Sequence, residues 1–302
     1  MTFSTIPFRE IKVTRKGFFV KIQRVGVVGM GTMGSQIGIV FAQGGFPTLL
    51  CDQDKESVEK GLSGIKKFIE SRVKKGKLED QKASEILSRL KTTTSMNDFH
   101  DVDLVVEAVY EDIEAKCRVF ERLDSICPKN AILATNTSTL SVTQMAQVTG
   151  RPSQCIGTHF LIPAALTPLV EIGLGKKTSE ETLQCVKEVL EACGKGVVTS
   201  RDSPAFIINR LYIPLLNEAF LALGEGVASA EEIDRACVKG LGFPLGPLAA
   251  TDASGLDVVL RCIESLHQQL GEKYRPAPLL VDMVKKGHLG KKTGKGVYEW
   301  KP

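Results

Sequence analysis

The sequence predicts an α/β fold, a doubly wound sheet domain over the first two-thirds of the chain followed by an all-α domain. Three observations carry this. A β-branched run, Val25-Gly26-Val27-Val28, passes through a glycine turn into a helix. Strand-like and helix-like segments then alternate to about residue 205, as a parallel sheet with helices on both faces requires. From residue 206 the alternation stops and mostly helical patterns remain. The expected organisation is an extension over residues 1–22, a sheet domain over 23–205 and a helical domain over 206–302.

The composition sets limits. Hydrophobic residues at 43% and charged residues at 25% describe a globular chain rather than a disordered one. Lys and Arg (39) nearly balance Asp and Glu (35), so nothing marks a nucleic-acid binder. No apolar run approaches the length of a membrane span, and residues 1–22 lack the apolar core of a secretory signal. The eight cysteines are scattered, with no C-x-x-C spacing. They read as reduced and structural, no metal site is expected, and the expected location is the cytoplasm.

The first strand leads into Gly29-Met30-Gly31-Thr32-Met33-Gly34 and then a helix from Ser35. Gly29 permits the tight turn, Gly31 lets a pyrophosphate approach the backbone, and Gly34 lets helix and strand pack closely. Free N–H groups and the positive dipole end of the helix face those phosphates. A second strand, Pro47 to Cys51, ends at Asp52, where a carboxylate would hold a ribose 2′-hydroxyl and repel a 2′-phosphate. The glycines alone would be weak evidence. Strand, helix and acid together make this a Rossmann-like dinucleotide site, with NAD as the cofactor.

Residues 54–91 read as helical and highly charged. Within them Lys74-Lys75-Gly76-Lys77 is either a solvated helix end or a dock for substrate phosphates. Further strands are expected over Val102–Val109 and Ala131–Thr135, with a helix from Glu111 to Leu123 between them. Asn136-Thr137-Ser138-Thr139 follows a strand directly, at the sheet end where ligands lie. Cys155–His159 and Leu169–Ile172 read as short strands joined by a loop, which sets His159 beside Glu171. A neutral histidine suits removal of an alcohol proton, and an adjacent carboxylate fixes its tautomer. Taken alone, a histidine on a strand is more often simply packed. The dinucleotide turn and the polar loop at Ser138 favour the catalytic reading.

Taken together, these pieces resemble the short-chain L-3-hydroxyacyl-coenzyme A dehydrogenase (3-hydroxybutyryl-CoA dehydrogenase) family over residues 24–302. The matching segments are Val-Val-Gly-Met-Gly-Thr-Met-Gly from Val27, Leu-Val-Val-Glu-Ala-Val from Leu104 and Asn-Thr-Ser at 136–138. They continue with Thr-His-Phe from Thr158, Leu-Val-Glu from Leu169, Ile-Asn-Arg from Ile208 and Gly-Lys-Lys-Thr-Gly-Lys-Gly from Gly290. The resemblance implies NAD-dependent oxidation of a (3S)-3-hydroxyacyl-CoA, an acyl-CoA thioester partner, a place in fatty acid β-oxidation and a homodimer. It makes His159 the base and Glu171 its partner, with Ser138 and Asn209 bonding the reacting oxygen. Glu111, Lys116 and Lys292 would contact the nicotinamide half of the cofactor, and Lys75 the coenzyme A phosphates. One departure stands out: where the family carries His-Phe-Phe-Asn-Pro, this chain reads His159-Phe160-Leu161-Ile162-Pro163. Ile162 offers no side-chain hydrogen bond, so altered cofactor affinity or acyl selectivity is expected while the chemistry is kept.

In the last third, Ala205–Leu211 opens a long apolar-periodic helix that continues through Pro214 with a kink, and Ser229 is placed to cap the next one. Two other readings remain: a dehydrogenase of a free hydroxy acid or sugar acid (gulonate-type), and a non-catalytic, crystallin-like relative. The first has no need of the basic cluster at Lys74 and Lys75; against the second stand His159, Glu171, Ser138 and Asn209. The acyl group is left open.

Overall fold

The structure, a computed structural model, describes residues 22–300. The extension expected over residues 1–22 therefore lies, but for Ile22, outside the described residues. The chain runs β1 (Val25–Val28), α1 (Thr32–Gln43), β2 (Thr48–Cys51), α2 (Lys55–Lys74), α3 (Asp80–Ser88) and β3 (Leu90–Thr93). Next come β4 (Leu104–Glu107), α4 (Ile113–Ile126), β5 (Ile132–Thr135), α5 (Val142–Gln147), β6 (Cys155–Phe160), β7 (Leu169–Leu174), α6 (Glu180–Ala192) and β8 (Gly196–Arg201). A helical part follows: α7 (Ile208–Gly224), α8 (Ala230–Gly240), α9 (Pro247–Ser254), α10 (Leu256–Leu270) and α11 (Pro278–Lys285).

The eight strands form one sheet in the order β3-β2-β1-β4-β5-β6-β7-β8. Strands β1 to β6 are parallel, β7 turns back antiparallel to β6, and β8 runs parallel to β7. Strand β1 pairs with both β2 and β4. The crossovers thus diverge at its carboxyl end, and a crevice opens where the glycine turn lies.

Side chains alternate across the sheet with period two and feed separate cores. Val25, Val27, Leu104, Val106, Ile132 and Ala134 pack against α1, α2 and α6. Val28, Val105 and Leu133 pack on the other face, with Phe99, Phe120 and Met145. A third core, around Leu216, Phe220, Leu256 and Ile263, belongs to the helical part. The same alternation puts His159 and Glu171 on the face of α4 and α5, because their neighbours Phe160, Val170 and Ile172 belong to the opposite core.

Three expectations need correction. The stretch 54–91 is not one helical run. It breaks at Gly76, which has φ +63, and ends in a strand. That strand, β3, lies at the sheet edge and reads Leu-Lys-Thr-Thr, so it lacks the apolar run that marks buried strands. The sheet is mixed rather than wholly parallel, because a short loop joins β6 to β7 and only antiparallel neighbours can be joined so directly. Finally, the long helix starts at Ile208 rather than Ala205, since Ala205 and Phe206 hold φ of 64 and 48. Pro214 does sit inside α7, and Ser229 caps α8 by accepting the Glu232 N–H.

Gly34 is the tightest point of the first crossover: a Cβ there would lie 1.8 Å from the Gly29 carbonyl oxygen. Backbone cannot yield as a flexible side chain can. Gly34→Ala is therefore expected to cost about 1–3 kcal/mol, the range of overpacked cores. Urea unfolding checks this; an unchanged midpoint would show that the turn gives way freely.

Candidate active site

The glycine turn forms as the sequence predicts. Gly29 takes φ +97 and donates its N–H to the Cys51 carbonyl at 2.8 Å, tying the turn to β2. A Cβ on Gly31 would meet nothing within 4 Å, so the outer side of the turn is open. Helix α1 starts at Thr32 with no side-chain cap and no acidic residue in its first turn. Its first N–H groups and its dipole face that opening, a setting that favours an anion. Met30 is buried, whereas Thr32 is exposed and Met33 half-buried. The Asp52 carboxylate accepts the Met30 N–H at 2.6 Å and the Gln53 N–H at 2.7 Å. The acid at the end of β2 is thus fixed beside the turn, and the ensemble fits a dinucleotide.

One strand further, a buried ion network shapes the loop after β5. Lys116 is 1% exposed and its ammonium reaches Glu107 Oε1 at 2.8 Å, the Val109 carbonyl at 3.1 Å and Glu111 Oε2 at 3.5 Å. These three acceptors match its three donors. Lys116 is therefore engaged within the fold rather than presented to an open cleft. Burial pushes the Glu107 carboxyl up, against the pull of Lys116 and the bonds from Thr135 and the Val109 N–H. Glu111 turns its other oxygen to the loop, accepting Thr137 Oγ1 at 2.6 Å, the Ser138 N–H at 2.8 Å and the Thr139 N–H at 2.9 Å. The turn bearing Ser138 is wrapped around a single carboxylate.

Strands β6 and β7 bring the next pair together. Their register sets His159 opposite Glu171, and His159 Nδ1 lies 2.8 Å from Glu171 Oε2. Both are buried, at 3% and 0% exposure. The contact requires a proton on Nδ1, so the neutral ring turns the lone pair of Nε2 towards Ser138 Oγ, 3.2 Å away. Glu171 Oε1 accepts the N–H groups of Ile207 (3.0 Å) and Ile208 (2.9 Å). A carboxylate on the sheet thus caps helix α7, which has no side-chain cap of its own. Burial alone would raise the Glu171 carboxyl, but the His159 bond and the Ile208 and Ile207 N–H groups hold it below the usual carboxylate range.

Capping by Glu171 also places Asn209, the second residue of α7. Its side chain is half-buried, and no hydrogen bond joins it to another described residue. Lys75 and Lys292 are not drawn into this cluster by any described contact. Lys75 is exposed just past the end of α2, and Lys292 pairs with Asp257 at the start of α10. Three participants escaped the sequence reading. Asn136 accepts the Phe160 N–H at 2.9 Å, and Gln269 of α10 donates to the Thr139 carbonyl at 3.3 Å. The Phe206 ring neighbours that of His159, with centroids 5.6 Å apart. Asn136 stood beside the flagged Ser138, but a contact spanning 130 residues, as from Gln269, leaves no local trace.

Comparison with known proteins agrees with this geometry. The family model described as 3-hydroxyacyl-CoA dehydrogenase, NAD binding domain, matches residues 24–203, and that of its C-terminal domain matches residues 206–300. A probable 3-hydroxybutyryl-CoA dehydrogenase of Bacillus subtilis is 41% identical, over 93% of this chain and 98% of its own. A 3-hydroxyadipyl-CoA dehydrogenase of Escherichia coli is 38% identical over 93% of this chain and 60% of its own. The crystal structure of (S)-3-hydroxybutyryl-CoA dehydrogenase from Ralstonia eutropha superposes with a TM-score of 0.90 at 40% identity, covering 93% of this chain and all of that one.

Because Glu171 is ionised in the fold, its contribution to stability is complete above the ordinary carboxyl value of 4.5 and is lost as pH falls through its lowered folded value. Glu171→Gln is expected to lose about 1–3 kcal/mol at neutral pH, the cost of breaking a buried bond to a charged group. It should also show a shallower fall in stability below pH 4.5 than the parent. Denaturant unfolding at pH 7 and at a series of acid pH values checks both, and parallel curves would mean that Glu171 does not carry the charge.

Proposed function

The chain belongs to the 3-hydroxyacyl-CoA dehydrogenase family and is an NAD-dependent oxidoreductase of 3-hydroxyacyl-CoA thioesters, and from this premise we propose how its own residues divide the work. The observation that carries the reading is the line from half-buried Ser138 to buried His159 and Glu171, with bonds of 3.2 and 2.8 Å. His159 Nε2 receives the hydroxyl proton of the substrate while carbon 3 loses hydride, which leaves a ketone. NAD, when bound, supplies the hydride acceptor. Glu171 stabilises the imidazolium that results and holds the ring in the tautomer that leaves Nε2 free. Ser138 Oγ, and Asn209 with its uncommitted amide, donate to the reacting oxygen as charge shifts onto it. In the reducing direction the same proton returns from Nε2 to the keto oxygen.

For the cofactor, the open turn from Gly29 to Gly34, including Met30, Thr32 and Met33, would cradle the pyrophosphate, and Asp52 would hold the ribose. Glu111 and Lys116 act on the nicotinamide side by shaping the Ser138 loop rather than by a free charge. Lys292 is assigned to the cofactor and Lys75 to the coenzyme A phosphates on family resemblance. Exposed Leu211, Tyr212, Leu241 and Leu245 give the helical domain an apolar surface suited to pairing in a homodimer. No helix among the described residues is long and apolar enough to cross a membrane. Burial pushes six thiols, those of Cys51, Cys127, Cys155, Cys185, Cys193 and Cys262, up to about 11 or 12, so they stay protonated, as suits the reducing cytoplasm. We place the reaction in β-oxidation.

The first test is NADH consumption with acetoacetyl-coenzyme A beside free acetoacetate, for the parent and for His159→Gln. Turnover of the thioester alone, reduced roughly 10²–10⁴-fold in the variant, is expected of a general base. Equal turnover by the variant would remove His159 from that role. A second test concerns Ile162, which stands 66% exposed on the loop after His159. Ile162→Asn is expected to change KM for NADH or for the thioester severalfold with kcat nearly kept, since the base and its partner are untouched. Identical constants in both proteins would show that the position contacts neither ligand.

A further inference from the structure

The joint between the sheet and the helical domain contains a costly backbone arrangement. Ala205 and Phe206 are the described non-glycine residues with positive φ, and they are consecutive. Such conformations are sparsely populated for residues with a Cβ and persist only where the surroundings impose them. Here the Phe206 N–H returns to the Ser203 carbonyl at 3.0 Å, and the chain then enters α7 with the N–H groups of Ile207 and Ile208 on Glu171.

What the arrangement achieves is the position of one ring. Phe206, 5% exposed, lies with its plane 34° from that of His159. The sheet is cut away to receive it. Gly173 on β7 faces Gly157 on β6, two residues along from the Glu171–His159 pair and on the same face of the sheet. A Cβ on Gly173 would fall 2.2 Å from Phe206 Cε1. A glycine notch, a strained turn and an aromatic ring thus converge on one side of the imidazole.

We propose that Phe206 is a positioning residue for the reaction. It presses the His159 ring into the one plane in which Nδ1 meets Glu171 while Nε2 faces Ser138, and Gly173 is the seat that makes this possible. This rests on the reading of His159 as the base. Phe206 touches no reacting atom in this scheme. Its effect is on the orientation of the base, and errors of orientation appear in kcat.

The test is a double-mutant cycle on the full chain, with acetoacetyl-coenzyme A and NADH. Phe206→Leu keeps an apolar side chain but loses the flat ring; Gly173→Ala displaces the ring while leaving both aromatic and base in the sequence. Each is expected to lower kcat about tenfold with both KM values within roughly twofold. The double variant should lose no more than Phe206→Leu alone, because the two changes act through the same ring. An unchanged kcat in either single variant, or losses that multiply in the double variant, overturns the proposal. Should Phe206→Leu fail to fold, Gly173→Ala alone decides on the same criterion. His159→Gln in the same assay separates the two levels: a silent His159→Gln removes the base itself, whereas its loss of turnover beside a silent Phe206→Leu overturns only the role of Phe206.

Discussion

The structure depends on how a single buried carboxylate is satisfied. Glu171 has no exposure, and an ionised group in that position is tolerable only if its lone pairs are taken. One oxygen takes the His159 imidazole, the other takes two N–H groups at the start of α7. The first bond orients a proton acceptor. The second joins the sheet to the helical domain and supplies the positive end of a 17-residue helix to the anion. Neither half is independent of the other. Without α7 the carboxylate would lie buried and half-satisfied, and without the carboxylate α7 would begin with two unpaired N–H groups. The orientation of the His159 ring and the attachment of α7 to the sheet share this solution.

A second buried network answers a similar problem one strand away. Glu107, Lys116 and Glu111 form a chain of charges running outward from the sheet, and Thr135 bonds the innermost carboxylate at 2.7 Å. A buried pair of this kind is a poor source of stability, because desolvation offsets most of the attraction. Its consequence is shape. Lys116 draws Glu111 inward, and Glu111 then gathers three successive residues, Thr137 to Thr139, around one oxygen. Ser138 Oγ is left pointing at His159 because its own backbone is held from behind. The polar residues after β5 thus read as a mould and its casting, and Lys116 belongs to the mould.

The parts legible in the sequence are those set by short-range periodicity. The glycine turn lies between an apolar run and a helix, and every element of it is local. His159 and Glu171 are 12 residues apart on two short strands, so a hairpin-like return was enough to pair them. The edge strand β3 was hidden because Leu-Lys-Thr-Thr buries little and has no alternation to display. The burial of Lys116 was hidden for another reason: a lysine four or five residues into a charged helix looks solvated, and only the packing of α4 against the sheet places its head among acceptors. Phe206 looked like one more apolar residue at the start of a helix. Its role comes from a positive φ and from a glycine on a different strand, and neither is visible in a hydrophobic pattern.

The departure noted at Ile162 falls on the loop between β6 and β7. Residues 161–168 join the two strands that carry His159 and Glu171, and they are held by Lys195, whose buried ammonium reaches the carbonyls of Ala164 and Thr167, each at 2.7 Å. Desolvation lowers the Lys195 ammonium from its ordinary value, and the carbonyls, rather than a carboxylate, are what it meets. Ile162, 66% exposed, takes part in none of these bonds. The Ser138–His159–Glu171 line is bonded to the sheet and to the start of α7, and the exposed Ile162 side chain lies outside that set of bonds.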